Sequence, residues 1–410
     1  MKDFQKELNV FQEALHIEQP WYVSSHLLDL EHEILHVYLD FPRGSKFMCS
    51  HCGARHQPVH DIVDENRTWR HLDFWEFKTY LHARLPRTKC EQCGKTRTVQ
   101  VGWSRPKNHF TWKFESYVLS LMKEMPVAAV AREVREHDTR LWRIFHYYVH
   151  CTMQALDLST VKRMAIDETS VRRGHEYITL FVDVDTKKVL FATEGKDSSV
   201  LSQFKQHLED KGIPASQIEE CCCDMFPAFI KGIESTFPNA KITYDKFHVM
   251  KMVNEAVDTV RRAEQKEVDD LKKTRYIWLK NEQNLTAKQR EQLIKLKDTN
   301  LKTARAYKIK LALQDFWTYP AILADLYFND WYSWAIRSQL DPIKEVARSL
   351  KRHQDGILRW FQTKITNGLL EGINSLVQAS KRKARGYRTT KNFISMVYAT
   401  ANKLDVVAQP

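Results

Sequence analysis

The 410-residue chain has no apolar run approaching the ~18 residues that cross a bilayer as a helix, and its first residues, Met1-Lys2-Asp3-Phe4-Gln5, lack a signal-peptide pattern. Both absences lead to the expectation of a soluble, cytoplasmic protein. Acid is also missing locally. Between residues 84 and 113 eight Lys or Arg face the single acid Glu91, and between 372 and 403 seven face none. Basic charge clustered in this way, within a net charge of +12, is not a uniform coat and implies a polyanionic partner. Against these absences, 43% hydrophobic content with 11 Trp and 20 Phe suffices for several cores, so about two to four domains are expected.

Four of the eight cysteines form two matching knuckles, Cys49-Ser50-His51-Cys52-Gly53 and Cys90-Glu91-Gln92-Cys93-Gly94. Two thiolates three positions apart grip one tetrahedral ion from a tight turn, and the glycine after each pair lets the backbone fold around it. Cys49, Cys52, Cys90 and Cys93 therefore read as a structural zinc ribbon, with reduced cysteines or a redox pair as the alternatives. His51 and His56 read as bystanders. Segments between the knuckles, such as Thr79 to Leu85, alternate as strands do.

From Phe110 to Val149 the periodicity is helical. Tyr117, Leu121, Met122 and Met125 precede a break at Pro126, Val127 to Val134 follow, and a third segment starts at Asp138. That third segment serves as a recognition helix if the unit is a helix-turn-helix, with Arg140 and Arg143 on its exposed side; a generic helical linker is the other reading. The turn Arg135-Glu136-His137 lacks the glycine common in such units.

Beyond Ser159 come three strands in a meander, a helix from Ser199 to Lys211, a strand ending at Asp224, a helix from Phe226 to Phe237 and a strand from Ala240 to Asp245. This is the ribonuclease H-like order, in which the first and fourth strands lie side by side. Asp167 closes the apolar run Met164-Ala165-Ile166, and Asp224 closes Cys221-Cys222-Cys223. Two carboxylates brought together at strand ends suit Mg2+, which prefers oxygen ligands and keeps open positions for phosphate and an attacking hydroxyl. Two such ions about 4 Å apart serve an in-line displacement. Nearby rivals are Glu168, expected to face solvent, Asp183, expected away from the metal edge, and Asp245, held in reserve.

The 147 positions between Asp224 and Glu371 leave room for an all-helical insertion, with helical stretches over Val257 to Lys280 and Ala287 to Leu313. Its charges suit a solvated face or a DNA-binding one, and its aromatics suit a core more than stacking platforms. In the last segment Asn367, Glu371, Asn374, Gln378, Arg382 and Arg385 share one helical face, while Leu370, Ile373, Leu376 and Val377 are expected to dock on the sheet. Lys381, Lys383, Arg388 and Lys391 extend the basic run, so one face offers a metal carboxylate followed by groups for phosphates.

Taken in order, the cysteine ribbon, Ile166-Asp167-Glu168-Thr169-Ser170 with Gly174-His175-Glu176-Tyr177, Asp224-Met225-Phe226-Pro227-Ala228, Pro238-Asn239-Ala240 running into Asp245-Lys246-Phe247-His248-Val249, and Asn367 to Asn374 with Arg385-Gly386-Tyr387-Arg388 resemble the ISL3 family of bacterial insertion-sequence transposases. The resemblance covers essentially the whole chain. Ser375-Leu376-Val377 and the turn before Asp138 depart from it. The resemblance implies DDE chemistry on Asp167, Asp224 and Glu371, and an amino-terminal zinc ribbon and helix-turn-helix that bind terminal inverted repeats.

The reading is a multidomain α/β protein: an amino-terminal region with a zinc ribbon (1–108), a helix-turn-helix domain (109–157), a ribonuclease H-like core (158–250), a helical insertion (251–355), and the final catalytic helix with a basic tail (356–410). Its expected function is a DNA transposase using catalytic Mg2+ (or Mn2+) and structural Zn2+. It would bind double-stranded element ends through Arg140, Arg143, Lys381, Arg382, Lys383, Arg385 and Arg388, and join them to target DNA as a homodimer or larger assembly at the bacterial nucleoid. The alternatives are a structure-specific nuclease of the same fold and a domesticated DNA-binding regulator without catalysis.

Overall fold

The computed structural model describes residues 10–172, 176–366 and 368–404, with only the backbone of Leu369. Asn367 and the Gly174-His175 pair singled out above lie outside the described residues. The chain divides into two compact units, one reaching Gln154 and the other running from Ala155 to Leu404.

The first unit carries a six-stranded sheet of β1 (Tyr22–Asp29), β2 (Ile34–Asp40), β3 (Lys46–Phe47), β4 (Gln57–Arg70), β5 (Lys78–Lys89) and β6 (Thr96–Thr98), ordered β1-β2-β5-β4-β3 with β6 also on β5. Alternation in β2 and β5 buries Leu35, Val37, Leu39, Leu81, Ala83 and Leu85 against Trp21 and Trp69. Three helices follow: α1 (Trp112–Glu124), α2 (Val127–Glu133) and α3 (Asp138–Gln154). Thr111 caps α1 by accepting from the Phe114 N–H. In the glycine-free turn before α3, Arg135 itself takes a left-handed φ of 53°. Its guanidinium donates to Glu33, Asp73 and the Glu76 carbonyl, contacts that hold the turn in a conformation glycine usually supplies.

The second unit is built on a five-stranded sheet of β7 (Arg163–Ser170), β8 (Tyr177–Asp183), β9 (Val189–Glu194), β10 (Glu220–Cys223) and β11 (Lys241–Tyr244), ordered β11-β10-β7-β8-β9. The β7-β8-β9 meander is antiparallel, whereas β10 and β11 run parallel to β7. The parallel crossovers are made by α4 (Ser199–Asp210) and α5 (Pro227–Thr236). Strand pleating sorts the side chains onto two faces. Ile166, Phe181, Cys221 and Cys223 join one core with Phe204 and Phe229. Ala165, Leu180, Val182 and Cys222 join another with Leu370, Ile373, Val377, Phe393 and Val397.

After β11 the chain is helical: α6 (Lys246–Glu264), α7 (Arg275–Leu279), α8 (Ala287–Lys297), α9 (Lys302–Phe316), α10 (Ala321–Ile336), α11 (Asp341–Arg352), α12 (Gln354–Thr363), α13 (Gly368–Lys383) and α14 (Thr390–Ala401). The expected helix over Val257 to Lys280 is not continuous: α6 ends at Glu264, and Lys273, in a left-handed conformation, separates it from α7. The buried Glu264 carboxylate at the end of α6 accepts from the Lys302 and Thr303 N–H groups, which caps the start of α9 and ties it to α6. Phe316 and Trp331 are core residues, as their type suggests.

Candidate active site

Three aspartates define one row across the sheet. In the parallel ladders Cys222 stands opposite Ala165 and Cys223 opposite Tyr244, so Asp224, one residue past β10, is level with Asp167 and with Asp245. Asp167 is not at the end of its own strand, since β7 continues to Ser170; it lies just past the point where the shorter β10 stops.

Each aspartate has a different environment. Asp167 accepts from Asn374 Nδ2 at 2.8 Å and from the Glu168 N–H at 2.8 Å. Burial pushes its carboxyl up to about 6, the Glu168 N–H opposes the rise, and the Asp224 charge adds to it. Asp224 accepts from the Phe226 N–H at 3.1 Å and lies 3.4 Å from His248 Nε2. Asp245 is buried and caps α6, its Oδ2 accepting from the His248 N–H at 3.2 Å. The Asp245 to His248 segment therefore ends a strand, starts a helix and turns an imidazole towards Asp224. Sequence spacing carried a signal for this, an Asx cap with a histidine three positions on.

Glu371, exposed in the first turn of α13, lines a cavity of about 1180 Å³ together with Asp167, Asp245 and His248. Further along α13, Gln378 Nε2 donates to Thr169 Oγ1 at 2.9 Å and Lys381 Nζ to the Ser170 carbonyl at 2.9 Å. With Asn374 these contacts fix α13 along β7, one helical turn after another. Leu376, expected on the sheet, is instead 50% exposed, because only Leu370, Ile373 and Val377 fall on the apolar stripe. Glu168, expected to face solvent, is half-buried, and burial pushes it up to about 7. Asp183 is buried at the far end of β8, where it accepts from the Asp185 and Thr186 N–H groups of the hairpin.

The basic residues differ in exposure and pairing. Helix α13 stops at Lys383, and Arg385 (φ 56°) and Gly386 (φ 95°) are left-handed, so Arg385 does not share the helical face assigned to it. Arg382, Lys383, Arg385 and Arg388 are exposed, whereas Lys381 is half-buried. In the first unit Arg143 is exposed, but Arg140 is half-buried, paired with Glu136 and stacked 4.4 Å over the Phe110 ring.

The four ribbon cysteines converge in the first unit. Their sulfurs all lie within 4.8 Å of one another, and among the described residues no other group of three or more Cys, His, Asp or Glu closes so tightly. Gly53 and Gly94 take φ of 76° and 68°, and each donates its N–H to the first cysteine carbonyl of its knuckle. Backbone N–H groups of Cys52 and His51 hold the Cys49 thiol down at about 6. Four sulfur donors with no open position fit a structural zinc ion.

A family model described as a transposase matches residues 164–397. A helix-turn-helix domain of transposase family ISL3 matches residues 99–149, and a zinc-finger of transposase IS204/IS1001/IS1096/IS1165 matches residues 45–93. The transposase for insertion sequence element IS1001 of Bordetella parapertussis is 30% identical over 377 residues, covering 89% of this chain and 91% of that protein. The transposase for insertion sequence element IS1557 of Mycobacterium tuberculosis is 26% identical over 381 residues, covering 86% and 85%.

Proposed function

The chain belongs to the ISL3 family of DDE transposases, and on that premise we propose that Asp167, Asp224 and Glu371 are its catalytic carboxylates. The observation that carries the assignment is the register that sets Asp167 and Asp224 level on neighbouring parallel strands, with Asp167 and Glu371 on one cavity. In this reading the second unit is a ribonuclease H-like core, supported by the order β9-β8-β7-β10-β11 with its antiparallel meander. The segment from α6 to α12 is its helical insertion.

The donor set is all oxygen, and the clustering of Asp167, Asp224 and Asp245 leaves negative charge that a divalent cation offsets, which fits Mg2+ or Mn2+ held by Asp167, Asp224 and Glu371. When bound, such ions activate the attacking hydroxyl and stabilise the leaving oxygen of an in-line displacement. The protein's own groups set the geometry. Asn374 orients Asp167, His248 lies against Asp224, and the Asp245 cap fixes where α6 begins. Direct transesterification then joins the freed 3′ hydroxyl of an element end to target DNA without a covalent protein intermediate.

The relatives named for insertion sequences support element DNA as the substrate; its terminal inverted repeats would be gripped by the zinc ribbon and α1–α3 and by the exposed Arg143, Arg382, Lys383, Arg385 and Arg388. Pairing two ends calls for a dimer or larger assembly. The test is cleavage and joining of labelled element-end DNA with Mg2+, comparing wild type with Asp167→Asn, Asp224→Asn and Glu371→Gln. Loss of joined product in all three variants with DNA binding retained is expected. A variant that still joins strands removes its residue from the triad.

A further inference from the structure

Asp258, in the last turns of α6, has a side chain only 8% exposed and faces three arginines. Its Oδ1 accepts from Arg261 Nε at 2.8 Å and lies 2.7 Å from Arg261 Nη2. Arg261 is itself buried and puts both nitrogens on the one oxygen, Oδ1, so this pair already supplies the carboxylate with a counter-charge. Arg262 and Arg275 each bring Nε to 3.4 Å from Asp258 Oδ2, with side chains 62% and 57% exposed. Three cations on one anion leave a surplus of two positive charges on the outer pair. Because Arg261 already supplies a counter-charge, the two solvent-exposed guanidiniums retain positive charge for a further anion.

Both arginines line the cavity that holds Asp167, Asp245 and Glu371. Apart from that carboxylate end, its wall carries Lys246, Lys251, Arg262, Arg275 and Lys310 against Glu255 and Asp258. Lys310 is engaged with the Trp278 and Leu279 carbonyls, closing the end of α7, which leaves the arginine pair as the forked donors facing the opening. Asn254 Oδ1 and Trp317 Nε1, from two further residues of the same lining, are buried without a hydrogen-bond partner, so the wall also holds unused polar capacity.

We propose that Arg262 and Arg275, indexed by the Arg261-paired Asp258, form a binding station for a backbone phosphate of the DNA strand whose end is held at the carboxylates. The insertion then grips substrate. Arg262 also donates through Nη2 to Thr259 Oγ1 at 3.5 Å, and each exposed guanidinium, with its Nε beside Asp258 Oδ2, has further N–H groups for a phosphate. This inference rests on the carboxylate assignment above for the identity of the strand, but not for the existence of the station.

The experiment measures affinity of the full-length protein for labelled double-stranded DNA against KCl concentration, for wild type and Arg262→Gln/Arg275→Gln, with strand joining assayed in parallel. One lost phosphate contact lowers the slope of log K against log salt by about 0.9. The station predicts a slope reduced by about 0.9 and joined product reduced at least tenfold. An unchanged slope overturns it. Wild-type chain that binds with the steeper slope but never joins strands sinks the transposition site while leaving the station standing. If the double variant fails to fold, the single variants Arg262→Gln and Arg275→Gln carry the same test with about half the change.

Discussion

At the residue scale, the polar groups with the largest structural consequence are buried ones. His71 is buried, with Nδ1 2.8 Å from Thr111 Oγ1, the hydroxyl that caps α1. Burial, then the charges of Lys113 and Arg70, pushes its imidazole down to about 4. A base depressed from about 6.5 in the unfolded chain stabilises the fold fully above pH 6.5 and loses that contribution as pH falls towards 4, because the unfolded state takes the proton first. At about 1.4 kcal/mol per pH unit this amounts to roughly 3 kcal/mol. His71→Gln is expected to flatten the stability profile of the first unit between those values, and urea melts at pH 7 and pH 4.5 check it. In the proposed site the Asn374 hydrogen bond positions Asp167, so Asn374→Ala should leave DNA affinity intact and reduce joining about 10- to 100-fold, with partial recovery in Asn374→Gln. Equal losses of affinity and joining would contradict that role.

At the element scale, the junction of β11 with α12 is tight enough to forbid a methyl group. A Cβ at Gly356 would lie 2.4 Å from the Tyr244 ring and 3.2 Å from the Ile242 carbonyl. Gly356→Ala should therefore cost about 1–3 kcal/mol, read as a lower melting temperature. Because Tyr244 adjoins Asp245, it should also weaken joining. Strands and their order were legible in the sequence because apolar runs such as Met164 to Ile166 and Cys221 to Cys223 stop at acids. The cysteine ribbon was legible because its glycines announce its turns. What could not be read was where elements stop. Arg385 fits a helical spacing but falls two residues past the end of α13, and periodicity alone carries no endpoint. Arg140 fits an exposed position by spacing, yet Phe110, thirty positions earlier, and Glu136 occupy its guanidinium. Contacts from other elements do not register in a local pattern.

At the scale of the whole molecule, the two units have separate cores, and the metal clip belongs to the first. Zinc analysis should give one ion per chain. Chelation, or Cys52→Ser, should lower the melting of the first unit by several degrees and weaken DNA binding, while the second unit's transition stays in place. A single transition shifting as a whole would show the two cores to be coupled. The helical character of the chain after β11 was visible in the sequence as length and charge, but its path was not readable, because Glu264 reaches across to Thr303 and Arg359 to Glu220 over gaps that no periodic pattern spans.

The order in which the ribosome delivers these parts has a consequence. Asp167 and Asp224 emerge early, with the whole of the β7–β11 sheet, yet one face of that sheet is covered by Leu370, Ile373, Val377, Phe393 and Val397. Until roughly the last forty residues have left the exit tunnel, the nascent chain carries two of its acids on a sheet with a bare apolar side. Such a chain lacks the third carboxylate of the proposed triad and exposes apolar surface to water. A message broken before codon 370 should therefore yield insoluble fragments, so the closing helices decide whether the sheet survives as a soluble body at all, which the soluble fraction of truncated chains checks.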